Sequence, residues 1–136
     1  MADEAILRLE TRQPISFNKA SATAFEKGAF VDLNDDLTAV AATADGHVGG
    51  IVAVEEVANQ HSTVAVYREG FFYGTASAAI TIGQTLALTG SGNKLKPSTA
   101  SDVASKTVGI ALEAASGNGE QFLFELKPGV GVNAFA

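Results

Sequence analysis

The chain of 136 residues has no cysteine and no tryptophan, and only 3 prolines. Without cysteine it can have no disulfide framework, no thiol nucleophile and no zinc–thiolate centre. Charged residues are also scarce, at 18% of the chain, whereas 14 residues are glycine. This balance is typical of many short strands and turns rather than of long solvated helices. The missing cysteine also fits a protein that is made and assembled in a cytosol.

Positive charge is in the minority, since 9 basic residues face 15 acidic ones and the net charge is -6. An acidic surface repels phosphate, so we expect no direct nucleic-acid partner. Met1 to Glu4 is acidic where a signal peptide would be basic. No run approaches the ~20 apolar residues of a membrane-spanning helix. We therefore expect a soluble intracellular protein with no membrane partner.

Short apolar runs alternate with turn residues along the chain. This spacing predicts an all-β fold, a compact barrel or sandwich with at most one or two short helical turns. Gly49 and Gly50 interrupt one apolar run and predict a bulge or a close backbone approach. The predicted strands are 29–33, 37–40, 48–54, 64–67, 71–73, 80–83, 86–89, 95–97, 108–112 and 122–126.

The two halves of the chain resemble each other. The segment at 48–51 matches the segment at 107–110, and the same 19 positions separate Ile51 from Gly70 and Ile110 from Gly129. We interpret this as two similar β-units, at about 25–70 and 80–129, that share one core. The predicted organisation is an arm at 1–20, one β-rich domain at 21–129 and a tail at 130–136.

The first 20 residues have the pattern of an extended arm. Leu7 and Leu9 alternate with charged residues, and Pro14 has no N–H for a strand ladder. The segment is either an ordinary first strand or an arm that adds a strand to a neighbour's sheet. The residues predicted to bind a capsid protein or a neighbouring subunit are Ile6, Leu7, Arg8, Leu9, Arg12, Ile15 and Phe17.

The densest aromatic run lies in the middle of the chain, and a short apolar tail ends it. Such a run is either core with one exposed ring or a subunit interface, where aromatic residues are enriched. The residues predicted for a subunit interface are Phe71, Phe72, Tyr73, Val130, Val132 and Phe135.

Few residues are spaced for catalysis or metal binding. His47 and His61 lie beside turn-like sequence, without a recognisable nucleophile motif. Asp32, Asn34 and Asp36 alternate as at the start of a calcium loop, but the sixth and twelfth positions lack the required glycine and glutamate. These patterns favour solvated loops and a polar hairpin turn.

Two further motifs fail on spacing. Glu55 and Glu56 are adjacent, so in a strand they point to opposite faces and could not flank one glycosidic bond. The loop at 90–94 has glycines and a lysine without the spacing of a phosphate-binding loop. We therefore predict no catalytic residue, no metal ligand and no cofactor.

Taken together, residues 22–127 resemble the small capsid cement, or head decoration, proteins of tailed bacteriophages. The stretch from Val108 to Glu113 is the most family-like part. The other parts are the strand that follows Gly28 with its acidic turn, the Gly-Ile-Val-Ala run at 50–53, the strand from 64 to 70, and the Ile82-Gly83 step.

The resemblance implies a compact β-rich protein, often a homotrimer, that binds the major capsid protein on the outside of an expanded shell. It implies a virion component assembled in the host cytoplasm, without catalytic residues, that can use a terminal arm for strand pairing. Two alternatives stay open. One is another virion structural module, such as a spike or tail component, and the other is a carbohydrate- or ligand-binding β-module, which would need an exposed aromatic platform.

Overall fold

A computed structural model describes residues 3–43, 46–90, 92–102 and 104–133, without the side chain of residue 104. The described chain is all-β, as predicted, with eleven strands and one 3₁₀ turn at Ala104–Lys106. The strands are β1 Ile6–Leu9, β2 Ile15–Asn18, β3 Phe30–Asn34, β4 Thr38–Ala41, β5 His47–Val52, β6 Thr63–Tyr67, β7 Gly70–Thr75, β8 Thr85–Leu88, β9 Leu95–Pro97, β10 Thr107–Ala111 and β11 Gln121–Leu126.

Five strands from the first half form a closed barrel in the order β2-β4-β3-β5-β6. β2 closes it by pairing antiparallel with β6 and parallel with β4, where Asn18 lies opposite Thr38. Alternation in β2 turns Phe17 inward, and its side chain is 1% exposed. The barrel core consists of Phe17, Phe25, Ala29, Val31, Ala39, Val52, Val64 and Val66.

The other strands form a six-stranded sheet in the order β1-β7-β11-β10-β8-β9. Its inner face packs on residues from the barrel, because Phe30, Val48 and Ile51 belong to the same buried cluster as the sheet residues. The ring centroids of Phe30 and Phe124 lie 6.2 Å apart. This second core therefore joins the barrel to the sheet.

The two halves repeat the same strand pairing. The order β4-β3-β5-β6 in the barrel is reproduced by β9-β8-β10-β11 in the sheet. Both halves also have a register shift at the same point of the ladder. The pair Phe30–Ile51 in the first half corresponds to Thr85–Ile110 in the second. In the same way, Val31–Gly50 corresponds to Leu86–Gly109, and Asp32–Val48 corresponds to Ala87–Thr107. We propose that these are the two β-units expected from the sequence; the limits of arm, domain and tail remain predictions.

Glycine is required where these ladders shift. A Cβ at Gly50, whose φ is +148°, would collide with the carbonyl oxygen of Tyr67. At Gly109 a Cβ would collide with the carbonyl oxygen of Glu125. The close backbone approach predicted at Gly49–Gly50 is thus confirmed.

One predicted strand is absent. Residues 80–83 make a single bridge, between Ile80 and Ala115, and then turn. The Gln84 N–H donates to the Thr81 carbonyl at 3.2 Å, and Gly83 has a φ of +87°. The left-handed glycine and the turn hydrogen bond end the extended backbone there, in spite of the alternating apolar sequence.

Candidate functional site

The first strand lies against the chain's own sheet. β1 pairs antiparallel with β7, with Ile6 opposite Tyr73, Leu7 opposite Phe72 and Leu9 opposite Phe71. Just before it, Ala5 is buried and donates its N–H to the Gly28 carbonyl at 2.9 Å. β1 is thus an edge strand of its own sheet, while strand addition to a neighbour remains a prediction.

The strand pattern of β7 and β11 gives the sheet two apolar faces. Phe72, Phe122 and Phe124 are buried on the inner face. Because neighbouring residues of a strand point to opposite sides, Phe71, Tyr73 and Leu123 point outward. The aromatic run is therefore divided, with Phe72 in the core and the rings on either side of it half-buried on the outside.

Two rows of side chains cross this outer face. One row runs from Ile6 through Tyr73 and Leu123 to Leu112, whose N–H donates to the Leu123 carbonyl at 2.9 Å. The next row runs from Leu9 through Phe71 and Glu125 to Ile110. We call this surface the outer sheet face, and define it by Ile6, Leu9, Phe71, Tyr73, Ile110, Leu112 and Leu123.

The outer sheet face is mainly apolar, with Glu125 between Phe71 and Ile110, and it is most open to solvent at its borders. Ile6 is 52% exposed, Leu9 54% and Leu112 37%. The Glu113 carboxylate beside it accepts the Leu123 N–H at 2.9 Å, and Lys127 Nζ lies 3.8 Å from the Glu125 carboxylate. A cluster of exposed apolar side chains on one sheet face is typical of a protein–protein contact.

The structure thus brings together residues from both predicted sets. Ile6 and Leu9 from the predicted arm share one face with Phe71 and Tyr73 from the predicted subunit interface. The sequence reading did not include Leu112, Ile110 and Leu123. The signal for Leu123 was the segment 122–124, and the signal for Ile110 and Leu112 was the segment 108–112. Neither segment has a polar side chain, so neither has a polar face to turn to water.

The remaining predicted residues lie elsewhere. Arg8 and Arg12 are exposed, and Leu7 faces the side of Phe72. Ile15 is partly exposed at the start of β2. Phe17 and Phe72 are each 1% exposed, so in this fold neither offers a surface to a partner.

The tail is anchored on the second half of the chain. Val130 and Val132 are half-buried. Asn133 Oδ1 accepts the Thr85 N–H at 2.9 Å, and its Nδ2 donates to the Ser98 carbonyl at 2.9 Å. Phe135 lies outside the described residues, so its predicted role is not addressed by the structure.

The candidate chemical groups are dispersed. His61 Nδ1 lies 2.7 Å from a Glu56 carboxylate oxygen, and His47 is exposed at the start of β5. Asp32 is buried, where its carboxylate accepts the Thr43 N–H at 2.9 Å; burial raises its pKa. Over the described ranges, no group of three or more His, Cys, Asp or Glu residues could hold a metal ion. In the same ranges, no helix has the length and apolarity needed to span a membrane.

The fold places the chain among all-β proteins, with a closed five-stranded barrel and a second, six-stranded sheet. The fold of this chain is similar to that of the N base of head fibre gp8.5 in bacteriophage phi29. The TM-score is 0.54 and the sequence identity 17%, over 83% of this chain and 93% of that chain. No curated protein matches the chain.

The family is given by the sequence. A family model for the phage cement protein matches residues 48–126, which is more than half of the chain. The chain therefore belongs to the phage cement protein family, as the resemblance predicted. It is a structural component of a virion.

Proposed function

We propose that this protein is a non-enzymatic cement that binds the outer surface of a phage capsid and stabilises the shell. The observation that carries the proposal is the outer sheet face, which leaves Ile6, Leu9 and Leu112 open to water. Burying such side chains against another protein removes apolar area from solvent, at roughly 25 cal/mol per Å². The similarity to the head fibre protein is a similarity of fold, and it supports a position on the phage head only to that extent.

The major capsid protein is the proposed partner. The outer sheet face includes the edge strand β1, so a partner could contact both the face and its border. The acidic net charge of -6 would keep unbound protein soluble and separate until the shell is ready. Cementing then requires one protein to hold neighbouring capsid subunits together.

A homotrimer is the proposed form on the shell. Once one subunit of a trimer binds, the others bind intramolecularly, and avidity can exceed single-site affinity by ~100-fold or more. The proposed subunit contacts are the half-buried Phe71, Val130 and Val132.

The test is sedimentation of the protein with empty heads of the virus that encodes it. The variant I6S/L9S removes two exposed apolar side chains from the outer sheet face. The control L37S/V54S removes two comparably exposed apolar side chains elsewhere. We expect I6S/L9S to weaken head binding about tenfold or more, from the loss of buried apolar area, with the control unchanged. Equal affinity of wild type and I6S/L9S would contradict this surface.

A further inference from the structure

A second apolar surface lies on the first half of the chain, as a groove of about 670 Å³. Its lining includes the buried Phe25, Ala29 and Phe30, which form the floor, and the exposed Val57. The volume is that of a typical ligand site, 300–1,000 Å³. The groove passes between the barrel and the loop that contains Asn93.

The rim of this groove is acidic. Glu26, Glu55 and Glu56 line it, and no lysine or arginine among the described residues does so. Glu56 is paired with His61, whereas Glu55 is exposed to solvent. The groove thus combines an apolar floor with negative charge at its edge.

The second half of the chain provides an internal comparison. The Phe25 N–H donates to the Glu56 carbonyl at 2.9 Å, and the Ile80 N–H donates to the Ala115 carbonyl at 2.8 Å. Both pairs are isolated antiparallel bridges at the same place in their halves. Ala114 and Ala115 therefore stand where the first half has Glu55 and Glu56, so this backbone geometry does not require the carboxylates.

We propose that the groove receives a lysine or arginine side chain on an extended segment of the shell protein, an inference that rests on the proposed function. The long stem of such a side chain covers apolar surface while its charged end stays at a polar rim. Phe25 and Val57 would contact the stem, and Glu55 would lie near the charge. The cationic end complements both the rim and the net charge of -6.

The first experiment measures peptide binding to the protein in the absence of capsids. The tripeptide acetyl-Leu-Arg-Leu-amide is titrated into isotope-labelled protein, with acetyl-Leu-Gln-Leu-amide as the neutral probe, and backbone amide shifts are followed by NMR. We expect the arginine probe to move amides lining the groove in wild type and to move them at least fivefold less in Glu55→Lys. The control Asp36→Lys makes the same charge change on the exposed turn between β3 and β4, and should respond as wild type does.

Two results of the peptide titration would overturn the proposal. One is amide shifts of equal size with both probes, and the other is no shift of the groove amides with the arginine probe. Circular dichroism verifies that each variant is folded before titration.

The second experiment measures head binding. We expect Glu55→Lys to weaken it about tenfold while Asp36→Lys binds as wild type does. Equal affinities of the two variants would overturn the proposed site. If wild type itself did not bind heads, the proposed function would fail. The peptide titration alone would then decide whether the groove binds a cationic side chain.

Discussion

Asn93 is hydrogen-bonded to Phe30, although the two residues are 63 positions apart. Its Oδ1 accepts the Phe30 N–H at 3.0 Å, and its Nδ2 donates to the Gly28 carbonyl at 3.0 Å. The residue is 2% exposed, so these bonds are made away from water. Asn133 makes the equivalent bond to Thr85, which occupies the position of Phe30 in the second half. A side-chain amide thus ties down the first N–H of β3 and of β8.

Replacing Asn93 should therefore destabilise the fold. Asn93→Ala removes the acceptor of the Phe30 N–H, whereas the Gly28 carbonyl keeps the Ala5 N–H; an unsatisfied buried N–H costs about 1–3 kcal/mol. We expect a lower free energy of unfolding by about that amount in urea denaturation. The control is Asn118→Ala. Asn118 is exposed, and among the described contacts its side chain accepts a hydrogen bond only from the Lys94 ammonium, so this variant should change stability little. Equal stability of the two variants would contradict the role of Asn93.

Gly109 provides a test of the repeated ladder. A Cβ there would meet the backbone of Glu125, which cannot move without breaking the pairing of β10 with β11. Gly109→Ala should destabilise the fold by about 1–3 kcal/mol, the usual range for overpacking. At Gly117 a Cβ would meet nothing within 4 Å, so Gly117→Ala should be nearly neutral. Thermal unfolding of both variants measures the difference.

Asp32 should make stability depend on pH. Burial raises its pKa above the ordinary 3.8, against the opposing hydrogen bonds from Thr43. Between pH 3.8 and the raised value, the folded state holds a proton that the unfolded state has released, so the free energy of unfolding falls as pH rises through that window. Asp32→Asn, which stays neutral, should lose this fall and match or exceed wild type at pH 7.

The check is chemical denaturation at several pH values, with the exposed Asp35→Asn as control. If Asp32→Asn kept the wild-type fall in stability across that window, the assignment of the effect to Asp32 would be wrong.

Deletions should locate the end of the arm. Removing residues 1–10 takes away β1 and keeps the barrel, so we expect a folded but less stable protein. Removing residues 1–18 takes away β2 and Phe17, whose truncation alone would cost about 3–5 kcal/mol. That is a large share of a typical stability of 5–15 kcal/mol, so we expect cooperative unfolding to be lost. A cooperative calorimetric transition in the longer deletion would show that β2 is dispensable.

Much of this fold could be predicted because its signals are local. Apolar runs bounded by glycine, aspartate and asparagine gave most strand positions, and the matched segments at 48–51 and 107–110 indicated two related β-units. The strand predicted at 80–83 was wrong because Gly83 and the Thr81–Gln84 turn outweigh apolar alternation there.

The candidate site was less accessible to sequence reading. Strand alternation alone could not show that Phe17 lies inside a closed barrel. Closure of the barrel depends on the pairing of β2 with both β4 and β6. Nor could it join Ile6 to Leu112, because the row between them crosses strands that are distant in the chain. Long-range pairing decides which apolar residues meet on one surface.

The most direct measurement is cryo-electron microscopy of empty heads incubated with the purified protein. We expect added density on the outer surface of the shell, with the outer sheet face turned toward the capsid protein and Tyr73 and Leu123 at the contact. Heads without added density, or bound protein whose outer sheet face points to solvent, would contradict it.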